Sequence, residues 1–322
     1  MSGPGKVFQN LVKGLRIIDY PYVVNKRFDA TERLWIHDDT TALRQVRPDA
    51  AHVVVGPNLY VMPAEMPSGL RLAGALYLHP CCWAKALWEH AGFRACPIEC
   101  WPVGVDTDEF RPSYPRDRDL DVLVYHKQRD AAELEEILAM LRSSQVRHSV
   151  VVYGRYREED YKQALSRASF VVWHGRHESQ GLALQEAMAS DVPILLCDVE
   201  RLSDAREEYT FPEEFRDWPA TAAPYFDETC GVRISDLSEL PGAIREMREN
   251  LRMYAPRDYV RRNLSLAGQA AAFIRLWERW GLTLEGGRHE PLLSDRPYRA
   301  QLSARLRSRV GTLRRLSRGG QP

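Results

Sequence analysis

The sequence is poor in features that would anchor, cross-link or polarise a chain. No apolar run approaches the ~18 residues that a membrane span requires. The N-terminal stretch MSGPGKVFQNLVKGL also lacks the apolar segment of a secretory signal peptide. Both absences make the cytoplasm the expected location. The six cysteines, at positions 81, 82, 96, 100, 197 and 230, include no CxxC pair. Cys96 and Cys100 fall in a segment predicted to be extended, which would hold them apart, so buried unpaired thiols are expected in place of a zinc site or a disulfide framework. Cys81 and Cys82 precede a predicted helix over 83–92, whose dipole would lower a thiol pKa.

Net charge is missing as well, with 44 basic against 44 acidic side chains, but the balance hides an asymmetry. Residues 296–322 hold eight arginines and no carboxylate, which leaves 36 basic against 44 acidic side chains in the rest. Tyr298, Leu302, Leu306, Val310 and Leu313 recur every three or four residues, so the tail reads as an amphipathic helix with arginines over its other face. Such a helix suits an anionic membrane surface, with a solvated tail or a protein-binding helix as the alternatives. Nucleic acid is not expected, because the arginines lack interleaved aromatics and the body is acidic.

What is present is the pattern of a two-domain α/β protein. At 322 residues, with 44% hydrophobic and 27% charged side chains, the chain suits two globular cores. Apolar runs at 22–25, 34–37, 52–56, 75–79 and 97–101 read as strands, with helices at 7–18 and 83–92. Strands at 121–125, 149–154, 169–173 and 193–197 then alternate with helices at 131–142, 158–168 and 183–190. Alternation of this kind predicts parallel sheets flanked by helices. An irregular stretch over 198–230, containing Trp218, Tyr225 and Phe226, is expected to pack beside the site, and helices at 237–250 and 257–280 follow. Ser2-Gly3-Pro4-Gly5 looks like the glycine-rich turn after the first strand of such a domain, yet no strand precedes it, which suggests a start lying downstream of the real one.

The most informative segment is ESQGLALQEAMA, where Glu178 and Glu186 stand eight residues apart with Gly181 between them. The turn 178–181 separates a predicted strand from a predicted helix, so both carboxylates are expected near a helix N-terminus. Free N–H groups and the positive dipole end there suit a diphosphate, and Gly181 would let the backbone approach it closely. Carboxylates are suited to hydroxyls instead, so Glu186, expected in the first helical turn, would hold a ribose and Glu178 a sugar. A plain acidic helix start is the competing reading of these residues.

A second segment, WPVGVDTDEFRP (101–112), places Gly104 and Asp106 in a turn after an apolar strand. With both motifs in this order, the chain resembles the retaining nucleotide-sugar glycosyltransferases of the GT-B fold, the family 4-like or group 1 glycosyltransferases. Val103 stands where many members have Asn. The resemblance implies two Rossmann-like domains facing across a cleft: an acceptor-side domain over 1–104 that lacks its first strand, a donor-binding domain over 105–283, and a basic tail over 284–322.

It further implies sugar transfer from a nucleoside-diphosphate sugar to a hydroxyl acceptor, with the departing diphosphate taking the acceptor's proton. Lys127 and Arg129, after the first strand of the second domain, would neutralise that diphosphate, although members usually show Gly-Arg before the Lys. Together with Glu178 these are the expected catalytic residues. Gln180, Gly181, Leu182 and Glu186 would bind the donor, with Gly3, Gly5 and Asn58 contributing from the first domain. Neither metal nor cofactor is expected, because no Asp-x-Asp triad is read beside a strand end and the two cations would supply the charge. A glycoside hydrolase, or a non-catalytic sugar-nucleotide-binding protein recruited by its tail, remains the alternative.

Overall fold

The computed structural model describes residues 3–24, 33–45, 53–57, 59–67, 70, 72, 74–112, 120–204 and 211–286, with side chains as far as 280. These residues fall into two compact units. One comprises residues up to 24, 80–84 and 100–275; the other comprises 25–79, 85–99 and the residues from 276 onward. The chain therefore passes between the units several times. Asn58 and the basic tail lie outside the described residues.

The smaller unit is built on a four-stranded sheet, β1 (Leu34–Ile36), β2 (Val53–Val55), β3 (Ala75–His79) and β4 (Ile98–Cys100), in that spatial order. β1, β2 and β3 pair in parallel. Val53, Val54 and Val55 are all buried, as parallel strands covered on both faces require. Tyr77, Trp88 and Phe93 pack edge and face around one another in its core. No strand forms at Tyr22–Val24. Val23 and Val24 are exposed, and Tyr22 instead receives a hydrogen bond from Arg16 at 2.6 Å. A short helix α2 (Thr40–Gln45), which the sequence reading passed over, follows β1, and Asp39 caps it by accepting from the Thr41 and Ala42 amides.

The larger unit holds a five-stranded parallel sheet: β5 (Leu120–Lys127), β6 (His148–Val152), β7 (Ala168–Gly175), β8 (Ile194–Cys197) and β9 (Gly231–Ile234). The spatial order is β6-β5-β7-β8-β9. The first connection runs one way from β5 and the later ones run the other way, so a topological switch point lies between the carboxyl ends of β5 and β7. Val122, Leu123, Val124 and Tyr125 on β5 are fully buried, and so are Phe170 to Trp173 on β7. One face of the sheet packs with α4 (Ala131–Ser143) and α7 (Leu240–Asn250), and the other with α5 (Glu158–Arg167), α6 (Leu182–Ala189) and α8 (Pro256–Asn263).

Two further helices frame this unit. α1 (Gly3–Ile17) is an amphipathic helix burying Val7, Leu11 and Leu15. Gly3 and Gly5 therefore belong to its first turn and form no glycine-rich loop. α9 (Leu266–Gly286) is separated from α8 by two residues, where a single helix over 257–280 was expected. The break is a β-bridge of Ser265 with Val105. Both α1 and the turn at Gly104 approach the start of α9 at backbone distance. A Cβ on Gly14 would lie 2.4 Å from the Leu266 carbonyl oxygen, and one on Gly104 would lie 2.6 Å from Leu266 Cα. α9 ends in the smaller unit, where the Trp280 indole donates to Gly74 O at 3.2 Å.

Candidate active site

Lys127 and the Glu178 turn stand at the strand ends of the switch point. Lys127 is the last residue of β5 and pairs in register with Gly175, the last residue of β7. Its ammonium forms an ion pair with Glu178 Oε1, and the ring of Tyr153, from the turn after β6, lies 4.3 Å from the same nitrogen. The chain after β7 is held firmly: the Glu178 amide donates to Thr221 O at 2.9 Å, and the Trp83 indole donates to Glu178 O at 3.0 Å. Gly181 then turns into α6 with φ of +78°, a left-handed conformation that a side chain would strain. Leu182 opens the helix.

Glu186 lies one turn deeper than the sequence suggested. α6 begins at Leu182 and has no acid in its first turn, so Glu186 sits in the second, only 3% exposed. Lys6, from α1, forms an ion pair with Glu186 Oε1 and reaches Glu158 Oε2 on α5 at 3.1 Å. Burial pushes the Glu186 carboxyl up to about 7, against the opposing pull of Lys6. Nothing in the spacing of the sequence marks Lys6. Its only local signal is a cation directly after two glycines and a proline.

Gln180 and Arg129, both expected at the site, and Asp106 of the second motif are engaged with other protein groups. The Gln180 carboxamide accepts from the Val103 amide at 3.1 Å and donates to Val103 O at 2.8 Å and Gln185 Oε1 at 3.1 Å. The carboxamide therefore ties the two motifs together from inside. Arg129 does not join the Lys127 cluster. Its Nε donates to Glu133 Oε2 at 3.0 Å and its Nη1 to Cys197 O at 3.4 Å. It lines a cavity of about 360 Å³ beside Glu133, Asp198 and Asp236, at the ends of β8 and β9. Asp106, in the second motif, is a structural cap: Oδ1 accepts from the Asp108 and Glu109 amides, and Oδ2 accepts from Lys13 at 2.8 Å. Burial, which would raise its pKa, is outweighed by these bonds, and the carboxyl lies below its ordinary range. The Asp106-Thr107-Asp108 sequence, passed over in the reading of strand ends, is occupied in this way.

The strand-end histidines are internal. His174 is fully buried, with Nε2 2.9 Å from Glu133 Oε2 and Nδ1 3.0 Å from His126 Nδ1, and burial holds its pKa down to about 4. The thiol-lowering effect expected ahead of α3 (Cys82–His90) is absent at Cys81. Burial pushes that thiol up to about 12, outweighing the amides of Ala84 and Trp83. All six cysteines are free. In the stretch 198–230, the Trp218 indole donates to Trp83 O at 3.3 Å and the Tyr225 hydroxyl to Pro80 O, so this segment packs beside the Glu178 turn as expected.

A five-stranded parallel sheet with helices on both faces and a switch point between β5 and β7 defines a doubly wound α/β unit. Residues 109–221, about a third of the chain, match the family model described as Glycosyl transferases group 1.

Three solved structures are similar at low identity. AviGT4, a glycosyltransferase involved in avilamycin A biosynthesis, has a TM-score of 0.49 at 13% identity, over 88% of this chain and 91% of that one. Sucrose-phosphate synthase from Thermosynechococcus elongatus gives 0.45 at 16%, over 66% and 60%. S. aureus TarM, solved with fondaparinux, α-GlcNAc-glycerol and UDP, gives 0.44 at 16%, over 62% and 43%. The chain thus spans less than two thirds of the latter two. No curated protein sequence matches it.

Proposed function

We propose that the protein moves a sugar from a nucleoside-diphosphate sugar to a hydroxyl acceptor with retention of configuration. The observation that carries this reading is the Lys127–Glu178 pair beside the Gly181 turn at the carboxyl ends of β5 and β7. Lys127 is a cation at a strand end, suited to the charge that accumulates on a diphosphate as the glycosidic bond breaks. The amides at the start of α6 offer further donors to the same anion. Glu178 accepts from sugar hydroxyls once Lys127 turns to the diphosphate, and Glu186 accepts from the ribose. No protein nucleophile is needed, because the leaving phosphate oxygen takes the proton of the attacking hydroxyl. The side chains then act as positioners and charge stabilisers. Arg129, two residues beyond Lys127, contributes through the field at the strand ends.

Donor binding by Gly3, Gly5 and Asn58 belongs to the same proposal, as does a division into acceptor-side and donor-side domains. Residues 296–322 are proposed to hold the enzyme at an anionic membrane surface through their arginines. Among the described residues no helix is long and apolar enough to cross a membrane.

A thermal-shift screen with UDP, GDP and ADP and their sugars tests the reading, since a ligand bound only by the native state raises its apparent stability. A shift with one base, together with acceptor-dependent release of that nucleoside diphosphate, is the expected result. Binding without release in the presence of any hydroxyl acceptor would sink the catalytic assignment.

A further inference from the structure

We infer that Lys6 is a positioning residue for the donor: it holds Glu186 as an oriented carboxylate and leaves its second oxygen for a ligand hydroxyl. This rests on the proposed ribose role of Glu186. The geometry is specific. Lys6 reaches Glu186 from α1, some 180 residues away in sequence, and its side chain is only 19% exposed against 4% for that of Glu186. Its ammonium also contacts Glu158 at 3.1 Å and lies 5.3 Å from the centre of the Phe110 ring, so three elements fix its position.

A carboxylate this deeply buried would take up a proton without a cation beside it, and a protonated carboxyl has one acceptor oxygen fewer. The surroundings offer no substitute. The charged groups facing Glu186 are Lys6 from α1, Glu158 from α5 and Glu109 from the turn after Val105, and the last two oppose its ionisation. Tyr156 and Tyr161 flank it as neutral phenols, their ionisation suppressed first by burial. Lys162 is held by Glu109 at 2.8 Å and Glu158 at 3.4 Å and does not reach Glu186. Lys6 thus neutralises a site that would otherwise be an acidic pocket facing an anionic ligand.

The variants Lys6→Met and Lys6→Arg test this. In the full-length protein without ligand, carboxyl-carbon NMR of 13C-glutamate should show Glu186 ionising at higher pH in Lys6→Met and near its wild-type pH in Lys6→Arg, with Glu186→Gln used to assign the signal. Calorimetry with the nucleoside diphosphate selected by thermal shift should then give about a tenfold loss of affinity for Lys6→Met at pH 7, shrinking toward pH 9, and recovery in Lys6→Arg. Circular dichroism and melting temperature separate these effects from misfolding; should Lys6→Met not fold, Lys6→Gln takes its place.

An unchanged Glu186 titration in Lys6→Met, or an affinity loss that is the same at every pH, overturns the inference. Tighter nucleotide binding by Lys6→Met also overturns it, since it would mean that Lys6 occupies the ribose position. If the wild type binds none of the nucleotides while Glu186 titrates as expected, the donor reading fails and Lys6 is reduced to holding the charge of a buried acid.

Discussion

Removing Lys127 should expose how much of the switch point depends on one charge pair. The side chains of Lys127 and Glu178 are only 11% and 12% exposed, so solvent screens their attraction weakly. Lys127→Met removes the ammonium from both Glu178 and the face of the Tyr153 ring and leaves Glu178 as a buried, uncompensated carboxylate. Breaking a buried pair in this way costs about 3–5 kcal/mol. Glu178→Gln leaves the ammonium in the same position and should cost a comparable amount, eased by the hydrogen bond that a carboxamide oxygen can still accept.

In the double variant neither charge remains, so its loss should fall well below the sum of the single losses, with a coupling of roughly 2 kcal/mol, far outside the ~0.5 kcal/mol within which independent sites add. Urea unfolding followed by tryptophan fluorescence, with the four proteins compared at equal slope, measures this cycle. Additive losses would show that the two groups do not feel one another, and the assignment of Lys127 as a cation held ready by Glu178 would fall with them.

Three other outcomes follow from the same structure. His79 is 2% exposed, packs against Trp88 at 4.6 Å, has no hydrogen-bond partner at either ring nitrogen, and is held down to about 3 by burial. Because its folded pKa lies below the ordinary ~6.5, its contribution to stability is complete above that pH and drains away as the pH falls toward 3. His79→Leu should therefore flatten the acid limb of a stability–pH curve by about one proton, and an unchanged slope would contradict the burial argument. Activity should survive excess EDTA, because Lys127 and the start of α6 supply the charge on the diphosphate; complete loss restored by Mn2+ would overturn this. Truncation after Gly287 should abolish co-sedimentation with anionic vesicles, a binding worth ~1 kcal/mol per arginine and weakened by salt, while nucleotide affinity stays the same. Equal pelleting of the truncated chain would dismiss the membrane role.

The strands were legible where they are buried on both faces. The runs at 121–125, 169–173 and 193–197 are nearly continuous apolar segments because parallel strands covered by helices need no polar side. β9 was not legible: its four residues Gly-Val-Arg-Ile alternate weakly, and Arg233 leans out to pair with Asp198. The break between α8 and α9 was also hidden, because helical apolar spacing runs through Leu264 and only the bridge of Ser265 to Val105, 160 residues away, interrupts it.

At the candidate site, Lys127 and the Glu178 turn could be read because a strand end and a glycine fix their surroundings locally. Gln180 and Lys6 could not, since each is assigned by a partner distant in sequence, Val103 and Glu186, and Arg129 is drawn aside by Glu133 four residues on as well as by Cys197 O. Polar residues in a motif look alike until the group that satisfies them is known.

The convergence of Gly14 and Gly104 on Leu266 has a consequence for how this protein can vary. The two glycines are 90 positions apart, yet each would press a new side chain against the backbone of one residue, a neighbour that cannot rotate out of the way. A change at either position therefore requires the start of α9 to shift, which would loosen the packing at the other. Across related sequences the two positions should drift as a linked pair, small together or enlarged together with altered residues around 265–270, and α1 should keep its register with Lys6 only in lineages that retain both.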